Sequence, residues 1–337
     1  MTKAPPHVWI AWESQRRSLT LAHRLGARLH LCLDVRLGLL RYPVSIAKTI
    51  AVLARQRGGV VFVQNPSMVL AALACVLKPV FGYHLVVDRH SNFSFLRPHT
   101  PGFRLRVSDA LSGFTLRRAD LTIVTNDELR AHVERSGGRA FVLPDPFPDV
   151  PDAARASSVR DGRPARPVEF LFVASWAADE PVAETIAACR ELDGEVIVRI
   201  TGRMKPQFAN VVANAPANFV PTGFLSDAEY FNVMARSDAV IAITSRAATL
   251  VCGGYEAAVL GKPMILGSSS ALRSYFNGGA VFTDGSSTDL VRAMRSLIRD
   301  LPALRTGVKD FVARRAPEWD TRFAELQRLL RDRNARG

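Results

Sequence analysis

Twelve short apolar runs, mostly unbroken by polar residues, constrain this chain more than any other feature. In the first half they are HVWIA (7–11), LHLCL (29–33), VVFVQ (60–64), HLVVD (84–88), LTIVT (121–125) and AFVLP (140–144). In the second half they are EFLFVAS (169–175), EVIVRITG (195–202), NFVPTG (218–223), AVIAIT (239–244), PMILG (263–267) and AVFTD (280–284). A strand with one wet face alternates polar and apolar residues, so a continuous run belongs to a strand covered on both faces. Segments with helical spacing stand between the runs, among them TLAHRLGARL, PVSIAKTIAVLARQR, DEPVAETIAACREL, SDAEYFNVMARS and STDLVRAMRSLIRDL. Ser226 ahead of Asp227 and Glu229 is a helix-start pattern. Strand and helix in alternation predict an α/β protein with parallel sheets.

The chain has 337 residues, more than one hydrophobic core usually organises, which predicts two domains. Composition shifts over PDPFPDVPDAARASSVRDGRPARP (144–167), rich in Pro, Asp, Arg and Ala, and that stretch reads as an interdomain linker. The expected division is a Rossmann-like domain over 1–150, a linker over 151–167, a second Rossmann-like domain over 168–316, and a C-terminal helix over 317–337. Pro317 opens that helix, and Trp319, Phe323, Leu326 and Leu330 form one apolar stripe, suited to crossing back onto the first domain. Two doubly wound domains of this kind face a central cleft, with ligands at the carboxyl ends of the strands.

Lys and Arg number 44 against 31 Asp and Glu, a formal net charge of +13, which favours an anionic partner. Nucleic acid is not expected, since no recognised module or charged tail is present. Cys32, Cys75, Cys189 and Cys252 are scattered without a CxxC pair or Cys/His cluster, so they read as buried free thiols of a reducing compartment. The N-terminal MTKAPPHVWIAWESQ lacks a long apolar core, which argues against a signal peptide. Met68 to Leu77 is about half the ~20 residues a membrane span needs. A cytoplasmic protein that can sit on the inner face of a membrane is expected.

Chemistry gathers in TSRAATLVCGGYEAAVLGKPMI (244–265). A helix start preceded by small residues exposes unpaired N–H groups and the positive end of the macrodipole. Ser245, Thr249, Gly253 and Gly254 would let a phosphate approach the backbone. Glu256, one turn in, could accept hydrogen bonds from ribose hydroxyls. The same residues also suit a plainer arrangement in which Glu256 caps the helix and the glycines only start it. Arg203 and Lys205, after EVIVRITG, could neutralise a diphosphate.

The stretch NFVPTGFLSDAEYFNVMARSDAVIAITSRAATLVCGGYEAAVLGKPMI resembles the donor-binding half of nucleotide-sugar glycosyltransferases of the GT-B fold, in particular the group 1/family 4-like bacterial members. The matching elements are a TGxLSxxEY segment, a (S/A)DxxI strand, a loop of small residues, and an EAxxxGKPxI helix and strand, over Asn218 to Ile265. The resemblance implies transfer of a sugar from a nucleotide-diphosphate sugar, most directly UDP-linked, to a hydroxyl of a lipid-linked or polysaccharide acceptor. It places the ribose-binding acid at Glu256 and the diphosphate loop at Ser245 to Gly254. Ala248 stands where many retaining members carry an earlier glutamate, and SWAADEP follows the first strand of this half where an Arg and a Lys are common. A non-catalytic binding protein and a nucleotide-sugar 2-epimerase are the competing expectations.

An inverting transfer needs a general base within reach of the acceptor hydroxyl. Asp88 and His90, after the fourth strand, and Glu13, after the first, are the candidates. No DxD triad is present, so no metal or other cofactor is expected. Leaving-group charge would fall to the helix start, backbone N–H groups and cations. Many of the cations lie in the first half, where Phe93, Phe95, Leu96, Phe103 and Leu105 interleave with Arg97, Arg104 and Arg106. Basic and apolar residues together suit an anionic membrane surface.

Overall fold

The computed structural model describes residues 7–32, 41–65, 67–90, 103–158 and 167–334, without the side chains of 103–105, 157, 333 and 334. The apolar stretch around Phe93, Phe95, Leu96 and Arg97, together with the side chains of Phe103, Arg104 and Leu105, lies outside this description. The chain divides into two units, one of residues 1–145 with 319–337, the other of 146–318.

In the first unit six strands, β1 (Val8–Ala11), β2 (Arg28–Leu31), β3 (Val60–Gln64), β4 (His84–Asp88), β5 (Leu121–Val124) and β6 (Ala140–Val142), form one sheet. Their order is β2-β1-β3-β4-β5-β6 and every pairing is parallel. Helices α1 (Arg16–Arg24), α2 (Arg41–Leu53), α3 (Met68–Phe81), α4 (Phe103–Arg118) and α5 (Asp127–Arg135) connect them. Continuous apolar sequence becomes strands buried on both faces: β1, β3 and β4 are buried at every residue.

The second unit opens with helix α6 (Asp152–Ser158) and holds six more strands: β7 (Val168–Phe172), β8 (Val196–Thr201), β9 (Phe219–Gly223), β10 (Ala239–Ala242), β11 (Met264–Gly267) and β12 (Ala280–Thr283). They too are all parallel, in the order β12-β11-β10-β7-β8-β9. The helices are α7 (Val182–Glu191), α8 (Ala209–Ala213), α9 (Asp227–Arg236), α10 (Cys252–Val259), α11 (Ser270–Tyr275) and α12 (Ser287–Asn334). Ser226 caps α9 in a reciprocal capping box with Glu229.

Three expectations change. The stretch read as a linker contains α6, whose Ala154 is fully buried with Val150 in the core of the second unit; residues 159–166 lie outside the description. Pro317 does not open a helix but lies inside α12, which runs from Ser287 to Asn334. The helix there forgoes the N–H bond that Pro317 lacks. From Trp319 onward α12 belongs to the first unit, where Trp319, Phe323, Leu326 and Leu330 join its core and Trp319 Nε1 donates to Pro144 O at 2.9 Å. Finally, three of the four cysteines are buried, but Cys252 is exposed.

Candidate functional site

In the second unit the strand order reverses between β7 and β10, and ligands of doubly wound sheets bind at the carboxyl ends beside such a reversal. Two loops stand there, one after β7 and one after β10. The loop after β7 carries acids rather than cations, and both acids are used structurally. Glu180 accepts from Ser175 N at 3.0 Å, Ser175 Oγ at 3.0 Å and Ala177 N at 2.9 Å. Those bonds hold the loop around Trp176, a buried residue with φ of 58° whose Nε1 donates to Thr201 O at 2.9 Å. Asp179 reaches across to the second loop. It accepts from Thr244 Oγ1 at 2.6 Å and Arg246 Nη2 at 3.1 Å, and its backbone oxygen accepts from Ser245 N at 2.8 Å.

The second loop leads into α10. Ser245 is exposed and Thr249 half-buried, its hydroxyl donating to Ala247 O at 3.2 Å. Ala248, between them, is buried with φ of 50°. Gly253 and Gly254 are buried, and their missing side chains serve packing. A Cβ on Gly253 would stand 3.0 Å from Ala242 Cβ and 3.1 Å from Val173 Cβ; one on Gly254 would stand 2.8 Å from Phe276 Cζ. The close approach that these glycines permit is therefore helix against sheet and helix against ring.

Glu256 is 6% exposed and one of its oxygens, Oε2, accepts from the Tyr230 hydroxyl. Tyr230 lies on α9 and is half-buried. The carboxylate is thereby oriented near the start of α10. Arg203 and Lys205 follow β8 and are both exposed. Gly202, just before them, has φ of 90°, and a Cβ there would lie 2.4 Å from Ala174 O, so only glycine fits where that loop leaves the sheet.

In the first unit Asp88 ends β4 and is fully buried. Arg17, from α1, faces it with Nε at 2.9 and 3.1 Å from the two carboxylate oxygens. The same guanidinium donates to Asp145 Oδ1 at 2.7 Å and Leu143 O at 3.0 Å. Burial pushes the Asp88 carboxyl up, but the charge of Arg17, with a smaller part from His90, overrides it and holds the group at about 2, below its ordinary 3.8. Burial opposes the charge on Arg17, and Asp88 and Asp145 raise its pKa nonetheless. His90 is partly exposed, with Nδ1 3.5 Å from Asp88 Oδ2. Glu13, in the loop after β1, is exposed and accepts from Gln15 Nε2 at 3.4 Å.

Among the described residues no three His, Cys, Asp or Glu side chains are grouped to hold a metal ion, and no helix is long and apolar enough to cross a membrane. No family model and no curated protein matches the sequence. Solved structures do match. Sucrose-phosphate synthase from Thermosynechococcus elongatus superposes with a TM-score of 0.70 at 14% identity, over 88% of this chain and 78% of that one. Anabaena HepE in complex with UDP superposes with a TM-score of 0.70 at 14% identity, over 96% of this chain and 99% of that one. HepE in complex with UDP-glucose gives 0.68 at 16% identity, over 94% and 90%.

This chain has the GT-B fold. Within it, the loops after β7 and β10 are bound together by Asp179, and Ser245, Thr249, Gly253, Gly254 and Glu256 belong to one loop-and-helix start. Asp88 and His90 are brought together in the other unit. Sequence reasoning missed Tyr230, Arg246, Asp179 and Arg17. Tyr230, as the last residue of the TGFLSDAEY segment, and Arg246, inside the Ser245 to Gly254 loop, carried a signal; Asp179 and Arg17 act through partners distant in sequence.

Proposed function

We propose that this GT-B protein is a glycosyltransferase that moves a sugar from a nucleotide-diphosphate sugar, most directly a UDP-linked one, to a hydroxyl of a lipid-linked or polysaccharide acceptor. The observation that carries the reading is Glu256: a buried carboxylate near a helix start, at the carboxyl end of the strand beside the order reversal, oriented by Tyr230. A carboxylate in that position is of the right kind to accept hydrogen bonds from ribose hydroxyls. Arg246 joins Arg203 and Lys205 as a cation for the diphosphate, since it stands in the loop after β10 that leads to Glu256 and keeps over half its side chain exposed while paired with Asp179. The likeness to HepE, which was solved with UDP-glucose, is in keeping with this reading.

The base role moves from Asp88 to His90. Asp88 is buried and its carboxylate is engaged by Arg17, and a carboxyl held near 2 is a weak proton acceptor. His90 is the more accessible of the two: with Nδ1 on the Asp88 side, 3.5 Å from Oδ2, Nε2 is the nitrogen that would accept the proton of an acceptor hydroxyl as its oxygen attacks the anomeric carbon. The proton ends on His90, and the sugar–phosphate bond breaks with its electron pair on the diphosphate. Glu13 is the second candidate. An anionic membrane surface is supported by α3, which exposes Val69, Val76 and Val80, spaced for one helix face, with exposed Arg117 and Arg118 on α4.

The test is titration and turnover with a panel of nucleotide sugars. Transfer or slow hydrolysis of one donor is expected, and Glu256→Ala should weaken nucleotide binding by about 1–3 kcal/mol, the worth of hydrogen bonds to a charged group. Wild-type affinity in a folded Glu256→Ala protein removes Glu256 from the site. Binding of a donor without any turnover sinks the transferase reading.

A further inference from the structure

A cavity of about 430 Å³ lies in the second unit, within the size range of small-molecule sites. Its floor is the turn Leu260–Lys262, which enters β11 at its amino end. Because β10 and β11 run parallel, this turn and the loop leaving β10 lie at opposite ends of the sheet, so the cavity is separate from the candidate nucleotide site. α12 supplies one wall through Arg305, Lys309 and Val312, spaced to share a helix face, and Ala313 beside them.

The lining is basic: Lys262, Arg305 and Lys309 contribute, and none of the described lining residues is acidic. Lys262 is 3% exposed, and its ammonium is held by Ala235 O at 2.6 Å and Ser158 O at 3.3 Å. Ala235 lies in the last turn of α9, where the helix dipole favours a cation. Lys262 is thus a fixed charge behind the cavity. Arg305 lies 3.5 Å from Asp238, which offsets one of the three charges. Lys309 is exposed at the rim. Positive charge set against low-dielectric walls focuses an attractive potential on anions, while Val259, Val312 and Ala313 offer apolar surface beside it.

We propose that this cavity is a second ligand site that binds a phosphorylated small organic molecule, its phosphate on Lys309 and Arg305 and its carbon skeleton on Val259, Val312 and Ala313. The probe is phenyl phosphate, titrated calorimetrically into the full chain with and without saturating UDP. Binding should persist with UDP present, exceed that of inorganic phosphate, and be absent for phenol. Lys309→Ala should weaken it about tenfold or more, the worth of one charge-assisted bond. Ala313→Phe, at an exposed position, should block it while leaving the melting temperature unchanged and every charge in place. No binding of phenyl phosphate, binding untouched by both substitutions, or binding lost instead in Arg203→Ala overturns the proposal. Each result is independent of whether UDP binds or any sugar is transferred.

Discussion

Replacing Arg17 with leucine tests whether the buried cluster of the first unit is organised around one guanidinium. Arg17→Leu removes both bonds to Asp88, the 2.7 Å bond to Asp145 and the 3.0 Å bond to Leu143 O. Asp145 is 22% exposed and can be hydrated, but Asp88 has no exposed surface. Leaving its charge buried without Arg17 costs about 3–5 kcal/mol. Protonating it instead costs about 4 kcal/mol at pH 7, since its ordinary value is 3.8 and each pH unit is worth about 1.4 kcal/mol. The two routes agree, so the variant should lose about 4 kcal/mol at pH 7. The sign with pH follows. In the wild type the Asp88 carboxyl is lowered, so its stabilisation is complete above 3.8 and fades only as pH falls towards about 2. In the variant the penalty shrinks as pH falls, to about 2 kcal/mol at pH 5. Urea unfolding followed by tryptophan fluorescence suits the measurement, because Trp9, Trp12 and Trp319 are all buried in the first unit. Arg17→Leu/Asp88→Leu should recover most of the loss, as apolar replacement of a whole buried pair often does. A loss below about 1 kcal/mol at pH 7, or an equal loss at pH 7 and pH 5, refutes the reasoning.

Tyr230→Phe removes the hydroxyl that orients Glu256; nucleotide affinity should fall by about 1 kcal/mol, less than for Glu256→Ala, and an unchanged titration would free Tyr230 from that role. Trp319→Ala removes a ring stacked on Phe323 at 5.0 Å and the bond to Pro144 O. It should cost the first unit about 3–5 kcal/mol and open the end of α12 to limited proteolysis; a resistant helix counts against its docking through Trp319.

What was legible in the sequence was whatever depends on neighbours close in the chain. All twelve runs became strands because a continuous apolar run has few other uses in an α/β protein. Their carboxyl ends were read too long where loops begin. EFLFVAS stops at Phe172, because the amides of Ser175 and Ala177 turn to Glu180 instead of to a neighbouring strand. The stretch 151–167 read as a linker because alanine carries no signal of burial, yet Ala154 packs in a core. Asp88 at a strand end read as a reactive acid, and its partner Arg17 lies 71 residues away, a pairing that no local pattern announces.

Gly253 and Gly254 show the limit most clearly, since a missing Cβ serves a phosphate and a packed ring equally well. Phe276, which fills the space above Gly254, lies beyond β11 and has no signature near the glycine. The two roles separate on perturbation. In Gly254→Ala the new Cβ meets Phe276 Cζ at 2.8 Å, which should cost about 1–3 kcal/mol of stability through overpacking. Trimming the ring in Gly254→Ala/Phe276→Leu should return part of that loss. If packing is the whole role, UDP affinity measured well below the melting temperature stays within a factor of about two of wild type. A Gly254→Ala protein that melts normally but loses UDP would assign the glycine to the phosphate instead.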